Sequence, residues 1–260
     1  MKHIPRKRFG QNFLVDQAVL EQIVAAIGPQ PQDTMVEIGP GLGAMTRRLL
    51  QSLLHLHVVE LDRDLVARLR GSFAAERLSV HAGDALQFDF GSLAPAPPRQ
   101  LRIVGNLPYN ISSPLLFYLA ALAPRVADQH FMLQKEVVER MVAAPGSKAF
   151  GRLSVMLQWR YQMELLFIVP PAAFEPAPRV ESALVRMRPL AQPLACDADL
   201  LQQVVQQAFA QRRKVIRNSL SGLFSEQQLQ QAGIDVLARP ETLAVAQFVA
   251  LANDLAARAH

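Results

Sequence analysis

The stretch that most constrains this chain is residues 35–46, Met35-Val-Glu-Ile-Gly39-Pro-Gly41-Leu-Gly43-Ala-Met-Thr46. The apolar residues Met35, Val36 and Ile38 read as the end of a buried strand. Three glycines at alternate positions then turn the chain into the helix-like stretch 44–54. Without a Cβ the loop backbone can approach a ligand closely, and the free amides at the following helix start supply hydrogen-bond donors. A strand, glycine loop and helix of this kind holds a nucleotide.

The spacing narrows which nucleotide. A dinucleotide fingerprint requires G-x-G-x-x-G, whereas this loop reads G-x-G-x-G with Glu37 two residues ahead of it. Twenty-one residues beyond Gly39, the run Leu56-His-Val-Val-Glu60 ends a second strand on an acid placed to hydrogen-bond a ribose diol. A third apolar run, Leu78-Ser-Val80, leads to Gly83-Asp84, whose carboxylate could accept from an adenine amino group. A glycine loop and two acids at three successive strand ends resembles a class I S-adenosylmethionine methyltransferase. A Rossmann-like unit for another adenosine cofactor is the alternative.

From residue 35 to about 134, short apolar runs alternate with helical stretches, the pattern of a parallel sheet covered by helices. Strands are expected near 35–39, 56–60, 77–81, 101–105 and 129–134, with helices at 63–73 and 114–122. Ser113 is read as the cap of the latter and Pro114 as its first residue. An earlier helix, 16–26, presents Leu20, Ile23, Val24 and Ile27 on one face behind an Asp16 cap. Phe9 and Phe13, just ahead of it, read as a hydrophobic clasp. After a helix over 136–143, the alternation in 149–158 is read as a strand that forms an antiparallel edge hairpin with 182–187. A Pro- and Ala-rich stretch at 189–197 then precedes four helices, 198–211, 213–223, 226–232 and 243–258. The second of these helices, 213–223, puts Arg213 and Arg217 one turn apart, with Ile216, Leu220 and Leu223 facing inward. The division expected is a catalytic α/β domain, 1–190, and a small all-α domain, 191–260.

Composition excludes several classes. Half of the 260 residues are apolar, enough for a full core. The longest apolar stretch, residues 115–123, is fenced by Pro114 and Pro124 and is too short to span a bilayer. Gly10-Gln-Asn12 interrupts any signal-like apolar core, so a cytoplasmic location is the expectation. Cys196 is the single cysteine, which excludes an internal disulfide and a cysteine-based metal site. His55 and His57 share a strand face without a third ligand nearby in sequence, so no metal is expected. The positive charge is concentrated in two places. Lys2, Arg6, Lys7 and Arg8 stand without an acid in 1–14, and Arg212, Arg213, Lys214 and Arg217 without one in 211–217. Those eight charges exceed the chain's net +5, so the remainder is net acidic. Two basic patches on such a chain suggest a polyanion partner.

The most informative stretch follows the fourth expected strand: Asn106-Leu107-Pro108-Tyr109-Asn110-Ile111-Ser112. Ligands of open sheets bind at the carboxyl ends of strands. A polar residue, a proline and an aromatic in the turn there resemble the catalytic loop of methyltransferases that act on exocyclic amino groups.

Taken together, Phe9-Gly-Gln-Asn-Phe-Leu14, the 37–43 glycine loop, Asp84, Asn106-Leu-Pro-Tyr-Asn-Ile-Ser-Ser-Pro114 and Phe174-Glu-Pro-Ala-Pro-Arg-Val-Glu-Ser182 resemble the ribosomal RNA adenine N6-dimethyltransferase family over nearly the whole chain. Gln211-Arg-Arg-Lys-Val-Ile-Arg-Asn-Ser219 resembles its small-subunit (16S) branch. Phe150 stands where tyrosine is expected and Ala210 where asparagine is expected; neither touches the motifs that carry chemistry. The resemblance implies that Asn12, Leu14, Gly39, Glu60, Asp84 and Asn106 bind S-adenosylmethionine. It implies catalysis centred on Asn106, Leu107, Pro108 and Tyr109, with Phe174 as the second wall of the base pocket. It further implies a 16S ribosomal RNA partner within an immature small subunit; the two basic patches, Arg6, Lys7, Arg8, Arg212, Arg213, Lys214 and Arg217, are the expected RNA contacts, and nothing in the sequence suggests more than a monomer. A ribosome assembly factor acting mainly by binding, and a DNA or large-subunit RNA methyltransferase, are the competing readings.

Overall fold

The computed structural model of the chain describes residues 11–96, 100–211 and 214–258. In order, the elements are β1 (Phe13–Leu14), α1 (Gln17–Ile27), β2 (Thr34–Ile38), α2 (Ala44–Leu49), β3 (Leu56–Glu60), α3 (Arg63–Ser72), β4 (Leu78–Ala82), β5 (Leu101–Asn106), α4 (Ser112–Ala120), β6 (Val126–Gln134) and α5 (Lys135–Met141). There follow α6 (Arg152–Gln158), β7 (Tyr161–Val169), β8 (Phe174–Glu175), β9 (Ser182–Pro189), α7 (Ala198–Phe209), α8 (Ile216–Ser219), α9 (Glu226–Gln231) and α10 (Val245–Arg258).

Seven strands form one sheet in the order β4-β3-β2-β5-β6-β9-β7, parallel from β4 through β6, with β9 antiparallel to β6. The central strands are buried on both faces, which is why they read as near-continuous apolar runs: Met35, Val36, Val58, Ile103 and Val104 are all fully buried. Between β2 and β5 the connections diverge, one set running outward to β4 and the other to β6. Such a switch point leaves a crevice at the carboxyl ends of the strands, where ligands bind in folds of this type.

The helix α1 forms where its cap and apolar spacing ask for it. The Asp16 carboxylate accepts from the amides of Ala18 and Val19, Gly28 closes the other end in the left-handed region, and Leu20, Ile23 and Ile27 are buried. Full burial of each such side chain stabilises by about 1.5–3 kcal/mol. Beside α1, the short strand β1 pairs antiparallel with β8, Leu14 opposite Phe174, and the amides of Val15 and Asp16 donate to the Ala173 carbonyl. This two-stranded clasp fixes the path of residues 11–14. Phe13 takes part as the sequence suggested; Phe9 lies outside the described residues.

Three expectations are corrected. Residues 152–158 are helical rather than a strand; Gly151 is extended at its start, with the Ser154 hydroxyl accepting from the Gly151 amide and donating to the Arg140 carbonyl. Consecutive burial of Ser154, Val155, Met156 and Leu157 had imitated a strand run. The edge strand is β7 instead, where Ile168 remains 45% exposed and the pattern alternates poorly. The helix α4 begins at Ser112 and not at Pro114, with Ile111 in the cap position and the Ser112 hydroxyl turned back to the Tyr109 carbonyl. The helix expected over 213–223 is confined to α8: Ile216 and Leu220 are buried, and Phe224 rather than Leu223 joins them.

The chain divides into two units, one of Met1–Val138 with Met163–Pro189 and the other of Glu139–Gln162 with Leu190–His260. The boundary expected at 190 therefore misses a segment. Residues 139–162 belong with the helical unit because their side chains are satisfied there. The Trp159 indole donates to the Leu194 carbonyl at 2.8 Å, and the Phe209 ring meets Phe150 edge-on and Phe248 at a tilt.

Candidate active site

At the carboxyl ends of the strands lies a cavity of about 260 Å³, roofed by residues 11–14 and lined by the glycine loop, the ends of β3, β4 and β5, and the turn that follows β5. The glycine loop is pinned from below. The Gly39 amide donates to Val59, and the Gly41 amide donates to the Glu60 carboxylate at 3.2 Å. Gly41 adopts φ +58°, and a Cβ there would sit 2.9 Å from the Phe13 ring, so the clasp seats directly on this glycine. The other Glu60 oxygen accepts from the Asp62 amide at 2.9 Å. Glu60 is thus held in one orientation at the end of β3, with its carboxylate at the cavity wall. Burial pushes its pKa up, while the amides of Asp62 and Gly41 oppose that shift. At the next strand end, one Asp84 oxygen accepts from the Leu86 amide at 2.9 Å, and the residue lines the cavity.

Glu37, seen in the sequence only as a spacing marker, proves to be a buried member of the site. It is 1% exposed beneath the glycine loop and accepts from the Thr46 hydroxyl at 2.6 Å. Burial pushes its pKa up to about 8, against the Thr46 hydrogen bond and with a further push from the charge of Glu60.

The turn after β5 is equally constrained. Gly105 admits no side chain, because a Cβ would lie 2.6 Å from the Ile38 carbonyl oxygen; this brings β5 close to β2 and sets the height of Asn106. The Asn106 amide nitrogen donates to the Asn12 carbonyl at 3.0 Å. A carbonyl can only accept, so the nitrogen must face Asn12, and the side-chain oxygen of Asn106 is left for the cavity. The Leu107 amide donates to Met132 and the Ile111 amide to Pro108, closing a tight turn. Among the described residues none donates to the Leu107 carbonyl. The Tyr109 hydroxyl meets the Ser182 hydroxyl at 2.7 Å, and burial of the ring pushes its pKa up.

The structure thus brings Asn12, Leu14, Gly39, Glu60, Asp84, Asn106, Leu107, Pro108 and Tyr109 to one cavity. Phe174 is the exception among the described cofactor-binding and catalytic candidates. Its pairing opposite Leu14 turns the ring into the core with Leu20, Ile23 and Met132, where it is 4% exposed and does not line the cavity. Of the basic candidates, Arg6, Lys7, Arg8, Arg212 and Arg213 lie outside the described residues. Lys214 is exposed, and Arg217 reaches Glu226 at 3.4 Å. Two further residues escaped the sequence reading. Ser182 is one, legible only once β9 is placed beside β6. His130 is the other: it lines the cavity wall at 2% exposure, its ring nitrogens have no hydrogen-bond partner among the described residues, and burial pushes its pKa down to about 4. His55 and His57 are joined by His81, whose Nε2 lies 3.2 Å from His57 Nδ1, away from the cavity.

The site residues fit an adenosine cofactor with a charged tail. A glycine-rich loop backs the cavity, two carboxylates stand at successive strand ends, and residues 11–14 line it opposite. Comparison with known proteins agrees in kind. The profile of the family described as ribosomal RNA adenine dimethylase matches residues 2–257. A protein of Janthinobacterium sp. (strain Marseille) named ribosomal RNA small subunit methyltransferase A is 69% identical over 255 residues, 98% of this chain and all of that protein. One of the same name from Chromobacterium violaceum is 58% identical over 98% of this chain and 97% of its own length. Among solved structures, a dimethyladenosine transferase from Plasmodium falciparum shares the fold with a TM-score of 0.79, at 23% identity over 95% of this chain and 98% of that one. A 23S rRNA methyltransferase, ErmE, superposes with a TM-score of 0.71 at 26% identity, over 94% of this chain and all of that one. With the profile matched almost end to end, and the sheet, glycine loop and Asn106 turn in the places such a match requires, the chain belongs to the ribosomal RNA adenine dimethylase family.

Proposed function

We propose that this protein transfers two methyl groups to N6 of each of two adjacent adenines near the 3′ end of 16S ribosomal RNA, acting as a monomer in the cytoplasm on an immature small subunit. It is an S-adenosylmethionine-dependent ribosomal RNA adenine dimethyltransferase. The small-subunit branch is favoured over the large-subunit one by the relatives at 58–69% identity that carry the small-subunit name. Among the described residues no helix is long and apolar enough to cross a membrane.

The observation that carries the mechanism is the Asn106 side-chain oxygen, oriented by the Asn12 carbonyl beside a Leu107 carbonyl to which no described residue donates. S-adenosylmethionine supplies an electrophilic methyl on a sulfonium. Adenine N6 is a poor nucleophile because its lone pair is delocalised into the ring. Asn106 Oδ1 and the Leu107 carbonyl accept the two amino hydrogens, which favours a pyramidal nitrogen with its lone pair directed at the methyl. Pro108 stiffens the turn that holds both acceptors. The target base must leave its stack to enter, and Tyr109 receives it by stacking. No side-chain base is required, since the methylated nitrogen is cationic and acidic and releases its proton to water. Glu60 and Asp84 bind the ribose hydroxyls and the adenine amino group of the donor, with Gly39 and Leu14 shaping its pocket.

Two measurements bear on this reading in solution. Glu60→Ala is expected to weaken S-adenosylmethionine binding by about 1.5–3 kcal/mol, the range for hydrogen bonds to a charged group; unchanged calorimetric affinity in the folded variant would remove Glu60 from the cofactor site. RNA engagement uses Arg6, Lys7, Arg8, Arg212, Arg213, Lys214 and Arg217. Each cation replaced by alanine is expected to flatten the log–log salt dependence of affinity by about one unit. Lys214→Ala with Arg217→Ala leaving the slope untouched would make that patch a solvated face. The decisive experiment is methyl transfer from labelled cofactor to immature small subunits, 23S RNA and DNA in parallel, with label expected in dimethyladenosine of the small-subunit RNA alone.

A further inference from the structure

Tyr109 is held at two points, its backbone carbonyl and its phenol, and the partner of the phenol is a residue to which the mechanism above gives no part. At the backbone, the Ser112 hydroxyl donates to the Tyr109 carbonyl at 3.1 Å. At the tip, the phenol meets the Ser182 hydroxyl at 2.7 Å. Ser182 is fully buried and opens β9, where it stands in register with Gln134 of β6. One residue earlier the Glu181 carbonyl accepts from the Lys135 amide at 3.0 Å, and the Glu181 carboxylate pairs with the Lys135 ammonium at 2.7 Å. The Ser182 hydroxyl is therefore carried on the antiparallel β6–β9 pair, a part of the sheet that cannot move without breaking its ladder. The tyrosine has two rotatable side-chain bonds; the hydrogen bond at the phenol restrains both, while the bond at the carbonyl fixes the backbone from which they start.

We propose that Ser182 is a positioning residue which, through the Tyr109 hydroxyl, sets the plane of the stacking wall and so the room beside N6 that the second methylation needs. This rests on the dimethyltransferase reading above. In the first transfer the nitrogen carries two hydrogens, and both acceptors at Asn106 and Leu107 can orient it. In the second it carries one hydrogen and one methyl, so a single acceptor remains and the methyl must be accommodated. Orientation of the base then depends more heavily on its stacking wall. A ring released from Ser182 can rock, which the first transfer tolerates and the second does not.

The test measures single-turnover rates of the first and second methylation on small-subunit RNA, read as mono- and dimethyladenosine by mass spectrometry. The proteins compared are the intact chain, Ser182→Ala, Tyr109→Phe and the double variant, with thermal unfolding alongside. Tyr109→Phe keeps the ring and removes only the hydroxyl. The ratio of second to first rate is expected to fall about three- to tenfold in each single variant, the effect of one neutral hydrogen bond, and no further in the double variant. A general loss of packing would slow both steps equally and leave the ratio unchanged. An unchanged ratio in folded Tyr109→Phe overturns the proposal, even should Ser182→Ala fail to fold. Additive effects in the double variant also overturn it, since Ser182 would then act by another route. Absence of dimethyladenosine with the intact chain would instead sink the functional reading on which the proposal stands.

Discussion

Asn106→Ala is expected to lower the single-turnover rate of methyl transfer by about 10²- to 10³-fold, the cost of removing one preorganised dipole from a transition state, while RNA affinity stays within about twofold of the unaltered protein. The size of the effect follows from what is lost. The Asn106 oxygen is aimed before any substrate arrives, because its nitrogen is held by the Asn12 carbonyl and Gly105 brings the strand end close to β2. Water entering the vacated space can accept a hydrogen bond but must first reorganise. Asn106→Asp separates orientation from charge: a carboxylate cannot donate to the Asn12 carbonyl, so it is expected to lose the orienting contact and most of the rate despite retaining acceptors. Tyr109→Ala is expected to act in the same direction, through stacking rather than through the amino hydrogens. Near-normal transfer by folded Asn106→Ala would place the chemistry elsewhere. Loss of RNA binding in step with rate would favour an assembly factor that uses this loop to hold RNA.

Glu37→Gln is expected to abolish a loss of stability that the unaltered protein shows as pH rises above neutrality. In the folded chain Glu37 keeps its proton to about pH 8, whereas in the unfolded chain it ionises near 4.5. Between those values the unfolded state has released a proton that the folded state retains, so folding stability falls as pH rises. His130 has the opposite sign, with its pKa lowered from 6.5 to about 4, and so has His57, also lowered to about 4. Both remain neutral in the folded chain while the unfolded chain takes up protons, so their stabilisation is lost as pH falls below 6.5. Above 6.5 the histidines no longer contribute, and the Glu37 limb stands clear. From pH 6.5 to 9 it amounts to about 2 kcal/mol, at about 1.4 kcal/mol per unit. The glutamine variant keeps an acceptor for the Thr46 hydroxyl and has nothing to ionise. Urea unfolding at pH 6.5 and 9 checks this; an equal decline in Glu37→Gln would assign the alkaline limb to another group. Glu60, whose pKa burial also raises, is the first alternative.

The parts of this protein legible beforehand are those written in local spacing. The glycine loop with its acids at successive strand ends, the alternation of strand and helix through 134, and the turn at Asn106 each lie within a few residues of the signal that announces them, and the structure places them together at one cavity. Local rules failed where burial overrode them. The run at 152–158 is apolar enough for a strand, yet its Ser154 hydroxyl accepts from the Gly151 amide at the start of a helix and donates to the Arg140 carbonyl. Phe174 looked like a pocket wall because it is an aromatic in a proline-fixed loop. Pairing with Leu14, far away in sequence, turned it into the core instead.

By itself the sequence determined the class of sheet, the adenosine-type loop, the acids at its strand ends and the family to which they point, since each depends on residue type and near-neighbour spacing. Only the tertiary structure decided which way the Asn106 amide faces, through a carbonyl 94 residues away, and what holds the Tyr109 hydroxyl, a serine 73 residues away. It likewise decided that residues 139–162 join the helical unit and that Glu37 keeps its proton near neutral pH. Hydrogen-bond direction and desolvation are properties of the atoms that meet when the chain closes, and no local pattern carries them.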